Sequence, residues 1–189
     1  MQNETEAIPF KPKASLPQPL ECPSFNRYEI TMNIDKILAR ELGKLGAVGG
    51  AIGGAMGGGI LTGVAGAIGG ASGARSAARY LPTELCTREY LLPCDATKAL
   101  TVIINALARL GQLQERSELE SPNPTIAAVV SSGFMNLNPC VLTIEIDSHT
   151  ETRTTVIIRG AAKEGLIKQY TAEKSVNRAI AAIEAASRP

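Results

Sequence analysis

The residue types that carry most enzyme chemistry are sparse in this chain. His149 is the single histidine, and the four cysteines, Cys22, Cys86, Cys94 and Cys140, form no Cys-x-x-Cys pair. A structural zinc centre needs clustered sulfur and nitrogen ligands, and a catalytic triad needs an imidazole beside its nucleophile, so both lack their parts. His149 falls in the polar run SHTET between two apolar segments, where an exposed loop histidine is expected. The cysteines read as structural thiols, with a Cys86 to Cys94 disulfide left open for an oxidising compartment. No GxxxxGK[ST] loop is present. The one Gly-x-Gly, Gly57 with Gly59, has Thr62 where a dinucleotide fingerprint needs its third small residue. No carboxylate pair or serine signature stands out. The expectation is a protein that is not an enzyme, with no catalytic residue, metal or cofactor.

One run of cations is the best place for a site outside the glycines. RGAAKEGLIKQYTAEKSVNR, residues 159–178, holds Arg159, Lys163, Lys168, Lys174 and Arg178 around the junction of a strand with the last helix. A helix N-terminus there suits an anion or a partner's carboxylate. Glu164 and Glu173 dilute the charge, and a solvated loop is the competing reading.

Residues 45–74 carry the strongest signal. No charge occurs in them, 13 of the 30 positions are glycine, and Lys44 and Arg75 close the two ends. At helical pitch Gly46, Gly50, Gly54 and Gly58 form one row, and Gly66 and Gly70 another. Each interior glycine costs a helix roughly 1 kcal/mol against alanine, which apolar burial in water hardly offsets here. Small residues every four positions are, however, the packing rule of membrane helices. The run Gly57, Gly58, Gly59 is a poor place to continue a helix, so a helical hairpin is expected. Lys36, Arg40 and Lys44 before the segment match Arg75, Arg79 and Arg88 after it, which predicts both flanks on the cytosolic side of a membrane. The large apolar residues are thinly spread, so insertion as a monomer is marginal and assembly into a homo-oligomer is expected.

Gly46 to Ala74 resembles the glycine-zipper segments of bacterial membrane proteins, including outer-membrane lipoproteins of the 17 kDa surface-antigen type and some secreted membrane-inserting effectors. The resemblance is compositional, covers about a sixth of the chain, and implies membrane association and self-assembly, with a lipid bilayer as partner. The opening MQNETEAIPFKPKASLPQPLEC has no basic region followed by an apolar core, so no signal peptide is expected, unlike in those lipoproteins.

The remaining elements form the frame. Prolines 9, 12, 17, 19 and 23 predict a disordered arm over 1–32. From Asn33 a short amphipathic helix leads into the glycines over 33–79, fit either for a membrane interface or for packing on the rest of the protein. Residues 80–189 read as a small α+β domain. ELCTREYLL at 84–92 is a strand; Asp95 caps a helix ending at Gly111; a weak strand follows near 112–119 and an apolar one at 125–133. VLTIEID (141–147) and RTTVIIR (153–159) alternate as an antiparallel pair, and a last helix spans about 171–187. The order β-α-β-β-β-α makes an antiparallel sheet with helices on one face. A net charge of +1 and seven aromatic residues, none of them tryptophan, argue against nucleic acid. The leading expectation is a self-associating membrane anchor for this domain, whose own protein partner the sequence does not indicate. The alternatives are a membrane-permeabilising effector, or a soluble binding module whose glycine segment packs internally or serves as a linker.

Overall fold

The computed structural model describes residues 27–114, 125–132, 138–165 and 168–188. Two helices come first, α1 (Arg27–Gly58) and α2 (Ile60–Ala78). The α+β part follows as β1 (Thr83–Leu92), α3 (Ala96–Leu110), β2 (Gly111–Gln114), β3 (Thr125–Ser132), β4 (Asn138–His149), β5 (Thr154–Lys163) and α4 (Thr171–Ser187). The α+β class holds, although four strands rather than three separate the last two helices. Most of the arm expected over 1–32 lies outside the described residues, as do positions 115–119 of the expected weak strand. Helix α1 already runs from Arg27, so Asn33 is inside it and not its cap.

All strand pairs are antiparallel, in the order β1-β5-β4-β3-β2. Chain alternation sends Leu142, Ile144, Val156, Ile158 and Ala162 to one face, where α3 and α4 cover them. Helix α3 contributes Ala99, Ile103, Ala106 and Leu107 at helical spacing, and its cap is Asp95, whose carboxylate accepts the Lys98 N–H at 3.0 Å. Helix α4 contributes Ala172, Val176, Ala179 and Ile183. Each fully buried Leu, Ile or Val here is worth about 1.5–3 kcal/mol. Gly160 brings α4 close, since a Cβ there would lie 2.8 Å from Val176 Cγ2 and 2.9 Å from the Ala172 carbonyl oxygen.

The other face is not bare, contrary to the expectation of helices on one side only. Ile34, Ile37 and Leu38 of α1 pack on Val141 and Ala161, with Val129 at the margin. Polar links also hold α1 there: Lys163 Nζ meets Asp35 Oδ1 at 2.8 Å, the Thr83 hydroxyl donates to the same oxygen at 3.1 Å, and Arg40 donates to Gln114 Oε1 at 2.7 Å. The lead-in to the glycines therefore packs on the protein itself, and the glycine-rich half of α1 continues from it as one helix.

Candidate interaction surface

The chain reverses direction at a single residue. Gly59 has φ +85°, a left-handed value that side chains resist, and it separates α1 from α2 with no further loop. Thr62 ties the tip, its hydroxyl lying 2.8 Å from the carbonyl oxygens of both Gly54 and Gly59.

Along the hairpin the expected glycines meet backbone to backbone. A Cβ on Gly46 would strike the Gly70 carbonyl oxygen, one on Gly50 the Gly66 oxygen, and one on Gly54 the Thr62 oxygen. Gly66 and Gly70 return the contact to Gly50 and Gly46, while Gly58 faces the Thr62 side chain. Not even an alanine methyl fits this seam at Gly46, Gly50, Gly54, Gly66 or Gly70, so it closes without consuming a single large apolar side chain. The consequence is an inversion of the usual helical hairpin, in which large apolar residues fill the seam. Val48, Ile52, Met56, Ile60, Leu61, Val64 and Ile68 all point outward, at exposures from 57% to 87%. They are seven of the thirteen exposed large hydrophobic residues among those described.

The glycines also divide into two sets. Gly49, Gly53, Gly57, Gly69 and Gly73 would accept a Cβ with nothing within 4 Å. They lie one residue before Gly50, Gly54, Gly58, Gly70 and Ala74, hence about 100° around each helix in the same sense. Because the helices are antiparallel, both rows come to one face of the hairpin. The opposite face carries Ala47, Ala51 and Ala55 with Gly63, Ala67 and Ala71. The open set has no packing reason inside the chain to offset its helix cost of roughly 1 kcal/mol per glycine. Its signal is present in the sequence as the doublets Gly49-Gly50, Gly53-Gly54, Gly57-Gly58 and Gly69-Gly70, which the single-row reading passed over.

The membrane anchor is overturned. Among the described residues no helix is long and apolar enough to cross a membrane. Helix α2 has the length, but five of its 19 residues are glycine and only Ile60, Leu61, Val64 and Ile68 are large and apolar. Helix α1 is longer but carries Asp35, Lys36, Arg40, Glu41 and Lys44. The expected transmembrane hairpin, its cytosolic flanks and the membrane location go with that finding.

The cations of 159–178 are not brought together. Arg159 bonds Glu145 at 2.6 Å on the face opposite α4, and Lys163 faces Asp35. Lys168 and Lys174 are exposed, and Arg178 donates to the Ser131 carbonyl oxygen at 3.1 Å. The N-terminus of α4 is filled by the chain's own carboxylates. Glu164 accepts from the Thr171 and Gln169 N–H groups at 2.8 and 3.1 Å, and Glu84 accepts from Ala172 at 3.0 Å. Burial pushes the Glu84 carboxyl up, and its hydrogen bond and charge contact with Glu164 add to that. Burial pushes Glu164 up as well, but the Thr171 and Gln169 N–H groups outweigh it and its pKa falls below the usual value. The sequence hid this pair, since its members stand 80 positions apart.

The thiols fit structural roles. Burial pushes Cys140 up to about 11, and it also raises Cys86 and Cys94. Cys86 and Cys94 are free, and the extended β1 between them spans about 20 Å from 86 to 92 alone, which excludes their disulfide. Among the described residues no group of three or more metal-type ligands gathers.

No protein-family model and no curated protein matches this chain. Among solved structures, it is similar to the Zhui aromatase/cyclase from Streptomyces sp. R1128 at 10% identity, over 56% of this chain and 87% of that one, with a TM-score of 0.26. A TM-score that low carries no argument about fold or activity.

Proposed function

We propose that the chain is a non-enzymatic protein-binding module in which the sheet domain holds out a glycine-closed helical hairpin as its docking element. The partner surface is an uncharged apolar helical one. The observation that carries this reading is the inversion of the hairpin: its seam is closed by glycine, and its seven large apolar side chains face outward. Seven large apolar side chains left in solvent on one element mark it as an interaction site. A partner with charges at the contact would desolvate them against residues 45–74, which offer none in return. The non-enzymatic reading draws support from the carboxylates at α4, which are engaged in capping a helix.

The test is the native size of the tagged chain in extracts of cells producing it, compared with Ile52→Lys combined with Leu61→Lys. The module reading expects a complex larger than the 19.8 kDa chain that collapses to monomer size in the double variant. Monomer size for both proteins would overturn it.

A further inference from the structure

We infer that the sheet domain carries a contact surface of its own, the outer edge of β1, and that its occupant is the β1 edge of a second copy, paired antiparallel across a twofold axis at Thr87. The contact uses no part of the hairpin and does not depend on the docking reading above.

The edge is open, and its pattern is readable. Strand β1 ends the order β1-β5-β4-β3-β2, so only one of its sides is paired. The Glu164 N–H donates to the Pro82 carbonyl oxygen at 3.2 Å, and the register runs on from Thr83 opposite Lys163 without a shift. Bonded and unbonded pairs alternate in an antiparallel ladder, so even positions of β1 turn their backbone groups to β5 and odd positions turn theirs outward. Thr83, Leu85, Thr87, Glu89 and Leu91 therefore present N–H and C=O groups that meet no backbone partner among the described residues. Leu85 and Leu91 are 58% and 52% exposed, and Thr87 and Glu89 are exposed with them.

Such edges are ordinarily blunted by a short strand, a lysine, a proline or a bulge. The opposite edge follows that rule, since β2 has only 4 residues. Strand β1 has 10, with no lysine, proline or bulge among them. A row of alternating donors and acceptors at strand pitch is satisfied by an extended chain.

Symmetry and charge decide which chain. The outward set is symmetric about Thr87, so a twofold there pairs Thr87 with its own copy, Leu85 with Glu89 of the second copy, and Thr83 with Leu91 of the second copy. Every outward backbone group of both strands is then used, and no like charges stand directly opposite. Moving the axis to Arg88 sets two guanidinium groups face to face, and moving it to Glu89 does the same with two carboxylates. Moving it back to Cys86 carries Leu91 past the end of the second strand. The two five-stranded sheets join into one of ordinary width. One strand pair is a small contact, so its strength is micromolar and it comes apart at the dilution of a cell extract.

The experiment is sedimentation velocity of the purified full chain across a concentration series, beside Thr87→Pro and beside Ile52→Lys combined with Leu61→Lys. The Thr87 N–H bonds nothing within the sheet, and proline suits an outward position of an edge strand, so the fold is expected to survive. Far-ultraviolet circular dichroism and the urea midpoint check that. The inference expects dimers forming at about 10 μM for the wild type and the hairpin variant, and roughly a hundredfold weaker association for Thr87→Pro, which loses a bond from each copy. A folded Thr87→Pro that dimerises like the wild type overturns it, as does a wild type that stays monomeric to about 100 μM. A dimer lost in the hairpin variant and kept in Thr87→Pro moves the contact to the hairpin and overturns it too. Should Thr87→Pro not fold, amide exchange of the wild type by NMR decides. The amides of Leu85, Thr87 and Glu89 must then exchange more slowly at high concentration than at low, while those of Cys86 and Arg88 are protected at both. Equal rates at the two concentrations overturn the inference. Failure here leaves the hairpin reading, whose test is the complex in cell extracts, as it stood.

Discussion

Gly50→Ala and Gly53→Ala add the same methyl group to the same helix three residues apart, and they should change stability in opposite directions. At position 53 the methyl meets nothing within 4 Å, so the variant keeps only the helix-propensity gain of about 1 kcal/mol. At position 50 the Cβ would collide with the Gly66 carbonyl oxygen and lie 2.7 Å from the Gly66 carbonyl carbon and 3.2 Å from Gly70 Cα. Carbon contacts are optimal near 3.5–4.0 Å, so the helices must part by about 1 Å. No rotamer change relieves this, because both obstacles are backbone. Parting there also loosens the Gly46 to Gly70 and Gly54 to Thr62 contacts along the same seam. Overpacking costs about 1–3 kcal/mol, and a backbone obstacle puts this case near 3, leaving a net loss of about 2 after the propensity gain. The two variants should therefore differ by about 3 kcal/mol, or 6–12 °C in Tm for a chain of this size. Urea and thermal unfolding followed by helical circular dichroism measure the difference. A Gly50→Ala protein as stable as Gly53→Ala would refute the glycine seam.

Other consequences are open to measurement. Glu84 has a raised pKa, so its stabilising contribution is full below the unfolded value of 4.5 and fades as pH rises through the raised one; Glu164, lowered, contributes above 4.5 and loses it in acid. Glu84→Gln keeps a group able to accept from Ala172 and to donate to Glu164. Its Tm should exceed that of the wild type by about 2–4 °C at alkaline pH for each kcal/mol relieved, with the gap closing toward pH 4. An equal gap at all pH values would mean that the two carboxyls do not share a proton. Asp35→Ala should cost about 1–3 kcal/mol in urea unfolding because it leaves the Lys163 ammonium, only 6% exposed, without its countercharge. Lys163→Met should cost less, since Asp35 is 43% exposed and regains water. In thiol labelling at pH 8, Cys140 should react only on unfolding, while the half-buried Cys86 and Cys94 react in the folded protein.

The legible part of the fold was the part written in local periodicity. The alternation of VLTIEID and RTTVIIR gave the β4/β5 pair, Asp95 marked the start of α3, and the triple glycine at 57–59 marked the hairpin tip. The four-residue glycine rows gave the seam positions. Where the reasoning failed, distant residues decided the outcome. Ile34, Ile37 and Leu38 suited a membrane interface or a protein core equally well, and only Val141 and Ala161, about a hundred positions away, select the second. The cations of 159–178 looked like one cluster because neighbours on a strand are close in sequence, yet alternation places Arg159 and Lys163 on the face away from α4. Glycine content misled most. It signals close helix approach in any solvent, and the low bulk that allows that approach also lowers the hydropathy a membrane span requires.

The most direct test of the account is site-specific photo-crosslinking in cells producing the full chain, with a photoreactive residue placed singly at Ile52, Leu61 or Ile68 on the hairpin and at Lys98 on the exposed side of α3. The account predicts discrete adducts from the three hairpin positions and none from Lys98. Hairpin positions that crosslink no better than Lys98 would contradict the claim that this hairpin is a docking element.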